Sequence, residues 1–272
     1  MVSNLRGDDR RAAIEAILGT IHGDVLLVDP SIEAFRALVD YGVETDDELP
    51  AISVLAREDV LKDVRDDFLV ASDAADLVES ETLELRVLEG VVENTLFVGE
   101  SDLYALVPAS DSVAGLTADD EAFIADAYET FRDRFDAAEA FDLRTPGLTR
   151  VRRTMEDSIG PDARADFDAV LGSLEAARGN GDGLDEVTIS LLVAAKNEAL
   201  LYDISKWGED IGIASKATFS RTKTELEDMG IIDTEKVPID VGRPRLRLKF
   251  ADGPLAEADG SELASVAQKV LN

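Results

Sequence analysis

The chain has no cysteine, a single histidine, a single tryptophan and no apolar run long enough to span a bilayer. Without cysteine it can form neither disulfides nor thiolate metal sites. His22 alone cannot assemble a histidine metal centre or a histidine-based catalytic dyad. Lacking ~18 consecutive apolar residues, the sequence is expected to have no membrane helix. The opening segment MVSNLRGDDRRAAIEAILG has neither the apolar core nor the small-residue cleavage site of a signal peptide, so a cytoplasmic protein is expected. No GxGxxG, Walker loop, HExxH or GxSxG occurs, and the expectation is a protein with no cofactor, no metal and no enzymatic activity. Asn180, Asp182 and Asp185 lack the ~12-residue loop and terminal glutamate of a calcium-binding EF-hand.

Basic residues are also scarce. Lysine and arginine number 27 against 58 aspartates and glutamates, giving a net charge of −31, and only 8 of the 27 are lysines. The acids are not gathered into blocks, as a nucleic-acid mimic would require, but spread through the chain in segments such as DDRR, TDDE and VRDDF. A dispersed carboxylate coat poor in lysine is what a halophile's acidic proteome uses to stay hydrated in concentrated salt. On that reading the charge is silent about function, and any local basic cluster becomes more informative.

With 45% hydrophobic residues in 272, the chain can build sizeable cores and divides more naturally into two domains than one. Residues 24–107 read as an α/β unit. Asp24–Asp29 (DVLLVD) is a continuous apolar run suited to a buried strand. Ser31 can cap a helix IEAFRALVDYG that stops at Gly42. Ala51–Ala56 is a second strand, and Asp59–Ser80 carries apolar residues at helical spacing with room for one break. Leu83–Leu88 alternates as a half-buried strand, and Thr95–Val98 with Leu103–Val107 makes a hairpin. The order βαβαβββ implies a mostly parallel sheet with an antiparallel edge. Thr117 is a candidate N-cap for a helix carrying Ile124, Tyr128, Phe131 and Phe135, and Thr149–Ile159 and Ala163–Ala177 continue as helices, with Pro161 at the start of the last. The predicted organisation is an α/β sensor or assembly domain over 1–178 with a helical extension from 117, a linker over 179–184 in the glycine-rich run RGNGDG, and a third segment over 185–272.

That third segment holds most of the lysine: six of the eight lie between Lys196 and Lys249. Glu186–Leu200 and Tyr202–Asp210 read as helices, the second with Ile204, Trp207 and Ile211 inward and Gly208 where two helices cross closely. Gly212 suits a left-handed turn. Ser215 caps a third helix, Lys216–Met229. At ~100° per residue, Phe219, Thr222, Leu226 and Met229 share its inner face. Ala217, Ser220, Arg221 and Thr224 fall opposite, with Lys216 and Lys223 at the flank. Small and hydroxylated residues beside an arginine allow approach to base edges and contact with phosphate. The acids Glu225, Glu227 and Asp228 gather at the far end, against the preference of the helix dipole. Ile231–Lys236 and Arg245–Phe250 then form a ribbon whose second strand, RLRLKF, alternates basic and apolar residues. Val241-Gly242-Arg243-Pro244 is its turn, a wing tip able to hold an arginine in a minor groove. From Ser215 to Lys249 there are eight basic and six acidic residues, a net +2, so the rest of the chain carries −33. A last short helix is expected from Ser261.

This is the plan of a winged helix-turn-helix. The candidate DNA-binding residues are Ser215, Lys216, Ala217, Thr218, Ser220, Arg221, Lys223, Thr224, Arg243, Pro244, Arg245 and Arg247. More closely, SKWGEDIGIASKATFSRTKTELED and TEKVPIDVGRPRLRL, with the α/β unit before them, resemble the haloarchaeal TbsP family of transcriptional regulators over nearly the whole chain. The resemblance implies sequence-specific binding to double-stranded promoter DNA and a link to central carbon metabolism. It departs from the general winged-helix pattern at Thr222 and Lys223, which are polar where an apolar residue seats the recognition helix.

Arg144, Arg150, Arg152 and Arg153 stand together without an acid between Leu143 and Met155. They are a candidate anion site for a small-metabolite effector, unless they pair with carboxylates on neighbouring helices. Because one recognition helix reads few base pairs, a homodimer is expected, its surface among the helices between Thr117 and Ala177. The competing reading is an adaptor whose winged helix binds other regulators or the basal transcription machinery.

Overall fold

A computed structural model of the chain describes residues 4–90, 92–110, 112–177, 184–238, 244–251 and 263. Contacts divide the chain into two compact bodies, Met1–Gly147 and Leu148–Asn272. Among the described residues no helix is long and apolar enough to cross a membrane.

The first body runs β1 (Leu5–Gly7), α1 (Arg10–Leu18), β2 (Val25–Val28), α2 (Ile32–Glu44), β3 (Ile52–Ala56), α3 (Glu58–Asp66), α4 (Phe68–Glu79), β4 (Leu83–Val87), β5 (Thr95–Val98), β6 (Leu103–Ala109), β7 (Ser112–Thr117) and α5 (Glu121–Ala137). The seven strands form one mixed sheet in the order β1-β7-β6-β5-β2-β3-β4. Every residue of β2 is buried, as its unbroken VLLV run requires of a strand covered on both faces. It pairs in parallel with β3 and antiparallel with β5, so the sheet changes character there. One face packs on Ile14, Phe35, Leu38, Val70 and their neighbours from α1, α2 and α4. The other packs on Ile124 and Phe135 of α5.

The α/β class is as expected, but the antiparallel part is broader than one hairpin. β7 continues it, and β1 closes the edge by pairing with β7. Both were unreadable locally: β1 is three residues with one apolar side chain, and Gly115 interrupts the inward stripe of β7. A side chain at Gly115 would press on Ile17 of α1. Thr117 does not cap α5. It ends β7, and Asp120 caps the helix instead, accepting from the backbone of Ala122 and Phe123. Gly42 likewise does not end α2, which runs on to Glu44. A Cβ there would lie 2.9 Å from Leu77 Cδ1, so its bareness serves packing against α4.

The second body runs α6 (Leu148–Ser158), α7 (Pro161–Ala177), α8 (Glu186–Lys196), α9 (Leu201–Ile211), α10 (Lys216–Asp228), β8 (Ile232–Val237) and β9 (Arg245–Phe250). The division at Gly147/Leu148 differs from the expected linker at 179–184, which lies almost wholly outside the described residues. The reason is tertiary. The helices α6 and α7 join the module that follows: Trp207 Nε1 on α9 donates to Thr154 Oγ1 on α6 at 3.0 Å, and Asn197, just after α8, donates to Asp166 on α7 at 2.8 Å. All residues from Val187 to Ala195 are buried, which makes α8 the central helix of this body. Beyond it the chain at Ala199–Leu200 pairs with β9: Leu248 N donates to Ala199 O at 2.9 Å, and Leu200 bridges to Arg247. Thus β9 is flanked on both sides. The expected terminal helix falls outside the described residues except for Leu263, which is helical and buried.

Candidate nucleic-acid interface

Three local features set the geometry of α9 and α10. Ile204, Trp207 and Ile211 turn inward along α9, as their spacing requires. Gly212 takes φ +91°, a left-handed conformation that only a residue without a Cβ adopts freely, and ends the helix. Gly208 lies directly under the ring of Phe219, the fully buried anchor of α10; a Cβ there would stand 2.3 Å from Phe219 Cε2.

Ser215 opens α10 as expected. Its Oγ accepts from Thr218 N at 3.1 Å and meets Thr218 Oγ1 at 3.0 Å. Ser215→Ala is therefore expected to lower stability of this body by about 1 kcal/mol, the usual worth of a hydroxyl cap. The denaturant midpoint of Trp207 fluorescence measures it, because the chain's one tryptophan is buried in this body.

The outer face of α10 carries Lys216, Ala217, Ser220, Arg221 and Thr224, all exposed, with Ser215 at its mouth and Thr218 half-buried. Arg221 is the freest cation there, its side chain 72% exposed and 4.0 Å from Glu225. Lys216 is held closer: Nζ sits 2.7 Å from Glu209 on α9, and that carboxylate also accepts from Lys216 N. The hydrogen bond keeps the Lys216 ammonium protonated above its ordinary range and holds the Glu209 carboxyl below its own. Lys206 pairs with Asp210 in the same way, one turn on.

On α10, two residues lie elsewhere than the sequence suggests. Lys223 belongs to the inner face, 9% exposed, with Nζ 2.6 Å from Glu227, so it is not at the flank offered to DNA. Met229, expected inward, is 55% exposed, because α10 ends at Asp228 and Ile231 fills the core position beyond it. On the ribbon, Pro244 is exposed. Arg245 turns onto α9, its guanidinium 4.2 Å above the Tyr202 ring and 3.5 Å from Asp203. Arg247 lines a cavity of about 250 Å³ with Ser158, Asn197, Leu200 and Asp203, none of which belongs to α10. Lys249 pairs with Asp233 across the ribbon. Arg243 lies outside the described residues.

The partners Glu209, Tyr202 and Asp203 were not legible, because they act from another helix. Glu227, Glu225 and Asp210, each four residues after its cation, follow a spacing that sequence can show.

The four arginines upstream do not form one cluster within either body. Arg144 belongs to the first, where it is exposed with φ +57°, and the other three to α6 of the second. Arg152 pairs with Asp168 at 2.6 Å, the structural alternative, while Arg150 and Arg153 are exposed without a carboxylate partner among the described residues. In the first body, the C-terminal end of β2 is occupied by internal bonds. Asp29 pairs with Arg57 at 3.1 Å and accepts from Val92 N at 3.0 Å.

Comparison with known proteins assigns both bodies. No curated protein matches the chain. Among the solved structures that match, two are similar over about half of it. One is the archaeal chromatin protein TrmBL2, whose structure is described as showing a novel mode of DNA binding: 15% identity, TM-score 0.32, 50% of this chain and 52% of that one. The other is Nuc, a phospholipase D family member from Salmonella typhimurium: 10% identity, TM-score 0.35, 51% of this chain and 97% of that one. This chain thus spans about half the length of the TrmBL2 chain, and at such TM-scores neither likeness bears on function. Residues 2–146 match the N-terminal region of the TbsP-like transcriptional regulators, and 147–268 match their C-terminal helix-turn-helix domain. The junction of the two matches falls within a residue of the boundary between the two compact bodies along the chain. The chain belongs to the TbsP-like transcriptional regulators, DNA-binding proteins that carry a helix-turn-helix in their C-terminal half.

Proposed function

We propose that this regulator binds promoter DNA sequence-specifically as a homodimer, in a salt-adapted cell, and controls genes of central carbon metabolism, the glucose and gluconeogenesis genes among them. The observation that carries sequence-specific binding is the polarity of α10. Its N-terminal half offers exposed Ser220, Arg221 and small neighbours, and its acids gather at the far end. The metabolic assignment rests on the resemblance of its motifs to the TbsP family. Dimerisation rests on the short reach of one recognition helix. The helices between Thr117 and Ala177 bury apolar residues in their own cores, Ile124 and Phe135 in α5 and Ala163, Phe167, Val170 and Leu171 in α7. Among the described residues of these helices, Phe123 of α5 is a large apolar side chain left outside, 56% exposed. Arg150 and Arg153 supply the place where an anionic metabolite would act.

A mobility-shift titration against genomic fragments tests the reading, and the absence of any sequence-selective shift at every salt concentration would refute it. The adaptor reading draws on the carboxylates that already pair with Lys216 and Arg245, and the same titration separates the two. Within a selective site, Arg221→Ala is expected to remove about tenfold discrimination at one or two base positions, the worth of one good arginine contact. Arg243→Ala weakens all site variants evenly. Isotherms against single-base variants measure both. Equal losses across all variants for Arg221→Ala would contradict its placement at the bases.

A further inference from the structure

Lys223 occupies the middle of the buried stripe of α10, between Phe219 and Leu226, where periodicity calls for an apolar side chain. A buried ammonium is costly to desolvate, and a lone ion pair returns that cost only with good geometry and further hydrogen bonds. Both are present. Lys223 Nζ stands 2.6 Å from Glu227 Oε2, and Glu227 Oε1 accepts the Thr234 hydroxyl at 2.8 Å. One carboxylate therefore uses both oxygens to tie the inner face of α10 to β8, the first strand of the ribbon. Thr234 stands opposite Leu248 of β9, which is fully buried, so the tie reaches the base of the ribbon rather than its edge.

The consequence is orientational. Successive residues of a helix lie ~100° apart, so a small rotation of α10 exchanges the residues it presents. An apolar stripe tolerates such rotation because dispersion contacts are not directional. Hydrogen bonds to a carboxylate are directional. We propose that Lys223, Glu227 and Thr234 form a clasp that fixes the rotation of the recognition helix and its angle to the wing, and so determines base discrimination without touching DNA. They are positioning residues, and the proposal rests on the DNA-binding reading above.

The test uses the full chain and a duplex that the wild type selects from a random-sequence pool. Affinities are measured for that duplex and for an unselected one. Thr234→Val and Lys223→Met are expected to stay folded by circular dichroism and Trp207 fluorescence and to bind the unselected duplex within about twofold of wild type. Their preference for the selected duplex is expected to fall about tenfold, roughly the discrimination of one specific base contact. Lys223→Arg, which keeps the ion pair, retains the preference. A merely structural role would move the melting transition and both affinities together. Folded Thr234→Val and Lys223→Met variants with undiminished preference would overturn the clasp. If Lys223→Met does not fold, Thr234→Val alone decides by the same criterion. A wild-type chain that selects no duplex would overturn the DNA-reading function, and the clasp with it.

Discussion

Gly208→Ala is expected to destabilise the second body by about 2 kcal/mol, although alanine ordinarily favours a helix interior by about 1 kcal/mol over glycine. The sign is decided by what the new methyl meets. At Gly208 it would stand 2.3 Å from Cε2 and 2.4 Å from Cζ of Phe219, a rigid ring with no exposure to solvent. The methyl has no torsion by which to avoid the ring, so the buried ring or the helices must shift, and overpacking of this kind costs about 1–3 kcal/mol. Gly172 on α7 is the control. Nothing lies within 4 Å of a Cβ built there, and it is exposed, so Gly172→Ala is expected to stabilise by about 0.5–1 kcal/mol. Denaturant titration followed by Trp207 fluorescence reads both changes in the same body. The Gly208 variant should lower the midpoint with the slope preserved. Adding Phe219→Leu should return part of the loss, a coupling expected only of residues in contact. A midpoint unchanged or raised by Gly208→Ala would show that these helices do not cross at that glycine.

The close crossing of α9 and α10 was readable in the sequence because it depends on neighbours. The Ile204–Trp207–Ile211 stripe, the left-handed Gly212 and the Ser215 cap each follow from residues within one or two turns. The features that escaped depend on distant parts of the chain. Arg245 reads as a free wing cation, yet its partners Tyr202 and Asp203 precede it by more than 40 residues. Helices α6 and α7 read as an extension of the first domain because a glycine-rich run follows them. Their hydrogen bonds to α9 and to the end of α8 place them in the second body instead. Composition marks where a chain can bend, but packing determines where a body ends. Lys223 is the instructive intermediate case. Its charge argues for the surface, while the 219–223–226 spacing argues for the core; Glu227 four residues on resolves the conflict by supplying a counter-charge.

Salt is expected to weaken operator binding far less than it weakens binding by a basic regulator. A protein making six to ten phosphate contacts loses about 10³–10⁵ in affinity between 50 and 200 mM salt, because each contact releases a cation condensed on DNA. Here the cations nearest the reading surface already hold carboxylates: Lys216 holds Glu209, Arg221 faces Glu225 and Arg245 holds Asp203. When a phosphate takes such a cation, the displaced carboxylate attracts a potassium ion from solution. Cation uptake by the protein then opposes cation release from the DNA and flattens the salt slope. The charge of −33 outside the Ser215–Lys249 segment acts in the same direction, since its repulsion from DNA is screened as salt rises. The expected loss over the same interval is below about tenfold, with measurable binding persisting above 1 M potassium chloride, on the order of a 3 Å screening length. Fluorescence anisotropy of a labelled operator across that range measures the slope. The combined variant Glu209→Gln, Glu225→Gln and Asp203→Asn removes the ion-accepting partners and keeps most of their size and hydrogen bonding. It should bind more tightly at low salt and lose affinity more steeply as salt increases. A wild-type slope as steep as that of a basic regulator, or a slope unaltered by the triple substitution, would rule out cation uptake by these carboxylates.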